Sequence, residues 1–356
     1  MKLYACSHCK QLLYFENDTC LHCGHKVGFE ASGLAMITLV AETEPERHDS
    51  NDPKRKYRFC ENARHGTCNW LISPDHPSPF CQACELNRTI PTLSGPENLA
   101  RWKRIEIAKH RMVYSLLRLH LPVRAKEEPE EKPEEEGIAF DFIADLSPTE
   151  RVMTGHDHGV ITLNIEEADE AERVRNKLDL GEKYRTLLGH FRHEIGHYYW
   201  DLLIAGKPAI DKFRKLFGDE QKDYAQSLKD YYKTGAPADW ADHFISPYAA
   251  SHPWEDWAET WSHYMHLMDA LETSYSFGIV VSPREQAMRT KPSKDPYLIK
   301  QFAEIIDVWL PLTFAVNSLN RSMGHSDFYP FVISPVVMDK LGFIHEVCQA
   351  AAPANG

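Results

Sequence analysis

From Tyr184 to Ile204 the chain carries no proline and repeats its apolar residues at helical spacing, with Leu187, Leu188, Phe191, Ile195, Tyr198, Tyr199, Leu202 and Leu203 marking one broad face. The spacing predicts a buried helix, and inside it stands His193-Glu194-Ile195-Gly196-His197. Residues four apart share a helix face, so His193 and His197 can bind one metal ion together while Glu194, one step round, aims at a water on that ion. The chemistry implied is zinc-dependent peptide hydrolysis with Glu194 as general base. The extended motif needs Gly three residues after the second His and a third His three further on, where this chain has Trp200 and Leu203. A third ligand must come from elsewhere.

Its best source is Pro253-Trp254-Glu255-Asp256-Trp257-Ala258-Glu259-Thr260-Trp261, which opens a second apolar helix running through Tyr264 and Leu267. Glu255 and Glu259 lie one turn apart. One can ligate zinc while the other accepts a hydrogen bond from the far ring nitrogen of a ligating His and fixes its tautomer. Two carboxylates on an apolar helix are costly to bury without such a partner. The competing reading is an ordinary helix start, with proline in the first turn and acids favoured by the helix dipole. We take Glu255 as the third ligand, Glu259 as its supporting partner and Asp256 as the fallback.

Eight of the nine cysteines fall into paired spacings. Cys6, Cys9, Cys20 and Cys23 form two Cys-x2-Cys knuckles suited to one tetrahedral zinc, a zinc ribbon whose few apolar residues leave most of its stability to the metal. Cys60, Cys68, Cys81 and Cys84 make a less regular quartet that predicts a second structural zinc, with His65 and His76 as substitutes should one thiolate not ligate. Cys348 reads as a buried helix residue.

The longer strings Tyr184-Arg185-Thr186-Leu187-Leu188-Gly189-His190-Phe191-Arg192-His193-Glu194 and Tyr248-Ala249-Ala250-Ser251-His252-Pro253-Trp254-Glu255-Asp256-Trp257-Ala258-Glu259 resemble a bacterial family of zinc-binding metallopeptidases with an N-terminal zinc ribbon. The resemblance covers nearly the whole chain, including Cys68-Asn69-Trp70 and Cys81-Gln82-Ala83-Cys84. The HExxH helix followed by Glu-x-x-Ala-Glu is similar to the gluzincin peptidases, and to anthrax lethal factor in its second motif. That likeness implies an α+β, mostly helical zincin-type domain with a small sheet, and one catalytic zinc beside the two structural ones. It also implies that Tyr248, seven residues before Glu255, donates to the oxyanion of a tetrahedral intermediate. His263 and Tyr264 are weaker candidates for that donation. His190 shares the face of His193 and can line a cleft, whereas His252 and His266 read as hydrogen-bonded histidines without a task.

These landmarks divide the chain into a two-zinc module at 1–90, a connecting amphipathic helix within 91–125, an acidic Pro/Glu linker at 126–137 and the peptidase domain at 138–356. The polar stretch Glu42 to Lys56 joins or ornaments the two zinc sites. Leu99, Trp102, Ile105, Met112, Leu116 and Leu119 mark the connecting helix, expected to pack on the catalytic domain. Gly159 to Ile165 alternates as a strand, and the resemblance implies that it borders the substrate cleft. Glu166 to Leu178 reads as a surface helix, with closing helices at Ile299 to Leu319 and Pro335 to Ala350. A formal net charge of -12 disfavours nucleic acid as a partner. No signal peptide and no membrane span are expected, which predicts a cytoplasmic protein acting on a peptide or protein substrate. Two other readings stay open: an adaptor that binds a protein or nucleic acid through its ribbons, with an auxiliary or inactive peptidase fold, and a zinc amidase acting on a non-peptide or isopeptide amide.

Overall fold

The structure is a computed structural model that describes residues 1–43, 46–126, 136–145, 152–170, 186–284, 290 and 294–352. It mixes sheet and helix, with the named strands of the described residues all lying before Ile165, and the chain clusters into two compact units: residues 1–117 with 122–172, and residues 118–121 with 173–356. Residues 138–172, which the sequence reading places in the peptidase domain, therefore cluster with the first unit.

In the first unit a short hairpin, β1 (Tyr4–Ala5) with β2 (Leu12–Leu13), carries the first knuckle. Both knuckles close alike: Lys10 N–H donates to Cys6 O and Gly24 N–H to Cys20 O, each at 2.8 Å, with Lys10 at φ 65 and Gly24 at φ 76. The left-handed turn lets backbone curl beneath a pair of thiolates, at no cost for glycine and a small one for Lys10. Strands β3 (Lys26–Glu30), β4 (Ala35–Thr43), β5 (Glu46–Asp49), β6 (Lys56–Phe59) and β7 (Trp70–Ile72) then close into a barrel, with β3 pairing β7 in parallel. Ile37, Leu39, Tyr57 and Leu71 form its packed core. The sequence reading of Glu42 to Lys56 as a polar joining stretch is thus corrected: β5 pairs with β4 and β6 as a barrel wall, and its polar Glu46-Arg47-His48-Asp49 hid the strand. The module also holds an apolar core of its own beside its cysteine clusters.

Strand β8 (Asn87–Thr89) leads into α1 (Pro96–Arg118), followed by β9 (Ala139–Ile143), β10 (Gly155–Asp157) and β11 (Val160–Asn164), which give a sheet of order β10-β11-β9-β8. The strand predicted by alternation is β11, parallel to β9. Helix α1 buries Trp102, Ile105, Met112 and Leu116 as expected, but its packing is corrected: Tyr114 meets Phe15 and Phe29, and His110 meets Trp70, all in the first unit. Most of the acidic linker, residues 127–135, and most of the predicted surface helix after Glu166 lie outside the described residues; Ile165–Ala168 is a 3-10 turn.

The second unit is helical: α2 (Leu187–Leu203), α3 (Ile210–Phe217), α4 (Tyr224–Thr234), α5 (Trp240–His243), α6 (Pro253–Ser276), α7 (Phe302–Ser322) and α8 (Pro335–Ala351). Thr186 caps α2 by accepting from Gly189 N–H, and His252 caps α6 through Trp254 N–H with Pro253 in the first turn. α2 and α6 pack against each other, with Tyr199 stacked on Trp261 at 5.1 Å. Helix α7 is long and apolar enough to cross a membrane by length and composition, with Ile305, Ile306, Trp309 and Leu312 buried on one side. Cys348 is buried in α8, as expected of a core thiol.

Candidate functional site

The paired helices α2 and α6 bring the predicted ligands together. His193, His197 and Glu255 each place a donor atom within 4.8 Å of the others. His193 Nε2 is 3.0 Å from Glu255 Oε2, and His197 Nε2 is 3.6 Å from Glu255 Oε1. Close approach depends on Gly196, whose missing side chain would stand 3.1 Å from Trp261 Cδ1 and 3.2 Å from Ala258 Cα. Trp257 Nε1–H locks the pair by donating to Gly196 O at 2.8 Å.

Glu259 sits where the reading of α6 places it. His193 Nδ1–H donates to Glu259 Oε1 at 2.7 Å, and Ser246 Oγ–H donates to Glu259 Oε2 at 2.6 Å. With its proton held at Nδ1, His193 presents the Nε2 lone pair to the cluster. Asp256, the fallback ligand, turns away: its Oδ2 is 2.6 Å from Lys340 Nζ, and burial pushes its pKa up to about 7 against the lysine's charge. Glu194 is buried, with His190 Nε2 3.3 Å from its Oε1. Burial pulls this carboxyl upward, yet the His190 hydrogen bond and the neighbouring histidine charges prevail and hold it below its ordinary value. Burial also opposes the charge of Glu255 and Glu259, and again the histidines win, leaving both depressed; the same carboxylates raise His193 against burial. A field that favours a proton on His193 equally favours a dication among these three groups.

Tyr248 stands beside this cluster, its ring centroid 6.1 Å from that of His193, and burial with the charge of Glu255 keeps its phenol protonated above the usual range. His263 and Tyr264 are directed elsewhere, His263 Nδ1 to Tyr329 Oη at 2.7 Å and Tyr264 Oη to His345 Nδ1 at 2.9 Å. His266 lies 2.6 Å from Arg192. Two residues escaped the sequence reading. Ser246 orients Glu259, and Tyr224, from α4, donates its hydroxyl to Glu255 Oε1 at 2.6 Å. No local pattern marks either, because each acts across a long stretch of chain.

The cysteines assemble in the first unit as two quartets, Cys6, Cys9, Cys20, Cys23 and Cys60, Cys68, Cys81, Cys84, and all nine cysteines are free of disulfides. His65 and His76 do not join the second quartet: Arg64 Nε–H donates to His65 Nε2 at 3.0 Å, and His76 Nδ1 lies 3.2 Å from Ser78 O.

A family model described as "Putative zinc-binding metallo-peptidase" matches residues 98–347. The chain belongs to this metallopeptidase family. A zinc-ribbon model matches residues 3–95, ahead of it. Curated relatives in Mycobacterium tuberculosis and Mycobacterium bovis, each named as an uncharacterized protein, are 39% identical over 354 residues, covering 99% of this chain and 97% of theirs. No solved structure matches the chain. These donors fit the metal in the family's description: two imidazoles and a carboxylate are a set used by catalytic zinc, and thiolate quartets by structural zinc.

Proposed function

We propose that this metallopeptidase hydrolyses peptide bonds at the α2/α6 cluster, with zinc held by His193, His197 and Glu255. The observation that carries the reading is that these three donors converge from two helices while a buried, ionised Glu194 lies beside them, since a purely structural site has no need of a base. Bound there, zinc supplies a Lewis acid for the substrate carbonyl and lowers the pKa of its water toward about 7.

The protein's own groups do the rest. Glu194 accepts the proton of the attacking water and returns it to the leaving amine nitrogen. Its depressed pKa keeps it ionised and ready to accept, and His190 fixes the direction of its carboxylate. Tyr248, protonated, donates to the oxygen of the former carbonyl as negative charge grows there. Glu259, steadied by Ser246, keeps His193 in the tautomer that offers Nε2, and Tyr224 steadies Glu255. The gluzincin arrangement, a ligand-bearing carboxylate on the second helix, follows from this assignment.

A peptide library incubated with the native chain and with Glu194→Gln tests the reading. We expect cleavage by the native protein and a loss of at least about a hundredfold in the variant with its zinc retained. Equal cleavage by both would remove Glu194 from the reaction. Cleavage of isopeptide or other amides alone, abolished by the same variant, would move the substrate class while keeping the site.

A further inference from the structure

The segment running from the end of α5 to the first turn of α6 carries three groups of the candidate site: Ser246, which orients Glu259, Tyr248, beside His193, and Glu255 itself. Both of its ends are tied to one side chain on α8. Lys340 Nζ donates to His243 O at 2.7 Å and to Asp256 Oδ2 at 2.6 Å. His243 O closes α5, where a helix carbonyl has no partner within its own helix. At the head of α8 the capping residue Ser334 adds a tie to the same place, donating its hydroxyl to Asp242 O at 2.9 Å.

An ammonium is a costly group to place there. The Lys340 side chain is 3% exposed and that of Asp256 fully buried, and the ammonium stands 4.5 Å from the centre of the Phe244 ring and 5.4 Å from that of Phe217. Lysine is almost never buried without a partner, and a buried ion pair returns little net stability over apolar side chains of the same shape. Stability alone does not account for the charge. Direction does. Ile245 and Ala249, buried within the segment, hold it against the unit through apolar contacts that have no preferred angle. A hydrogen bond constrains both distance and angle, so one ammonium bonded to both ends sets how far apart they lie.

We propose that Lys340 is a positioning residue of the candidate site, a clasp that closes the segment 243–256 and so sets where Ser246, Tyr248 and Glu255 stand against His193 and His197. The role rests on the reading of that cluster as the peptidase centre. It makes α8, which supplies none of the three ligands, part of how the site is built. It also gives Asp256 a task. Asp256 follows Glu255 in the first turn of α6, so that turn cannot rotate about the helix axis without pulling Asp256 off Lys340.

Hydrogen exchange of the full chain, read by mass spectrometry, tests the clasp without reference to a metal. Lys340→Met alone leaves the Asp256 carboxylate buried without its cation and should destabilise the whole second unit. Lys340→Met, Asp256→Asn removes both charges with little change of shape and should keep a Tm near the native one. In this double variant we expect peptides within 244–255 to exchange about tenfold faster while those of α2 and the rest of α6 keep their protection. Zinc at His193, His197 and Glu255 should bind about tenfold more weakly in competition with a chelator. Native protection of the segment would overturn the proposal, and so would faster exchange with native zinc affinity. A loss of protection spread evenly over the unit, with a fall in Tm, would overturn it too, because an ion pair that serves only the core would show that. If the native chain and His193→Ala, His197→Ala hold the same zinc, the peptidase centre falls, and the exchange rates still decide the clasp.

Discussion

Gly196 lets two helices come close enough for one metal to take ligands from both. Gly196→Ala should therefore damage a site whose ligands it does not touch. On an isolated helix the change is favourable by about 1 kcal/mol, because alanine loses less backbone freedom. In this structure the added carbon would meet Trp261 and Ala258 Cα at 3.1–3.2 Å, about 0.2–0.3 Å inside the 3.4 Å where ordinary contact begins. Neither neighbour yields easily, since Ala258 presents backbone and Trp261 is fully buried against Tyr199. Overpacking of this kind costs about 2–3 kcal/mol, so the net is about 1–2 kcal/mol of destabilisation, or about 2–8 °C in Tm for a unit of this size. The helices must also part where His193 and His197 face Glu255, and zinc binding should weaken about tenfold. Calorimetry and competition with a chromophoric chelator read the two effects. A variant with a higher Tm and unchanged zinc affinity would refute the close approach and the site geometry with it.

Glu259→Ala removes the acceptor of His193 Nδ1–H and should weaken zinc binding about 10- to 100-fold in the same competition assay; native affinity would deny its orienting role. Tyr224→Phe should lower zinc affinity about tenfold with little change in Tm, because the hydroxyl serves Glu255 while the ring is partly exposed; a large Tm loss with full affinity would make it a packing residue instead. Burial opposes the charge of Asp141, but its hydrogen bonds from Arg88 and Thr89 prevail and hold the carboxyl below its ordinary value. Because the folded pKa is the lower one, this stability is fully present above about pH 4 and is lost as pH falls through the folded value. Asp141→Asn should accordingly flatten the acid side of a Tm-against-pH curve, and a curve parallel to the native one would contradict the pairing.

The parts of the site that could be read in the chain are those encoded locally. The HExxH pattern and the apolar period of α2 need only helical geometry, and Glu259 falls one turn beyond Glu255. Asp256 could not be told from Glu255 by spacing, since what distinguishes them is Lys340, 84 positions away. The barrel escaped because all its strands but β4 are short and β5 is polar throughout, so no alternation announces it there. The packing of α1 was misjudged because periodicity shows that a helix has a buried face and not what covers it.

The most direct test of the central assignment is zinc content per chain by elemental analysis, on the native protein and on His193→Ala, His197→Ala. The account predicts about three zinc ions falling to about two, one lost from the α2/α6 cluster and two kept by the cysteine sites. About two ions in both proteins would contradict a zinc site at His193, His197 and Glu255.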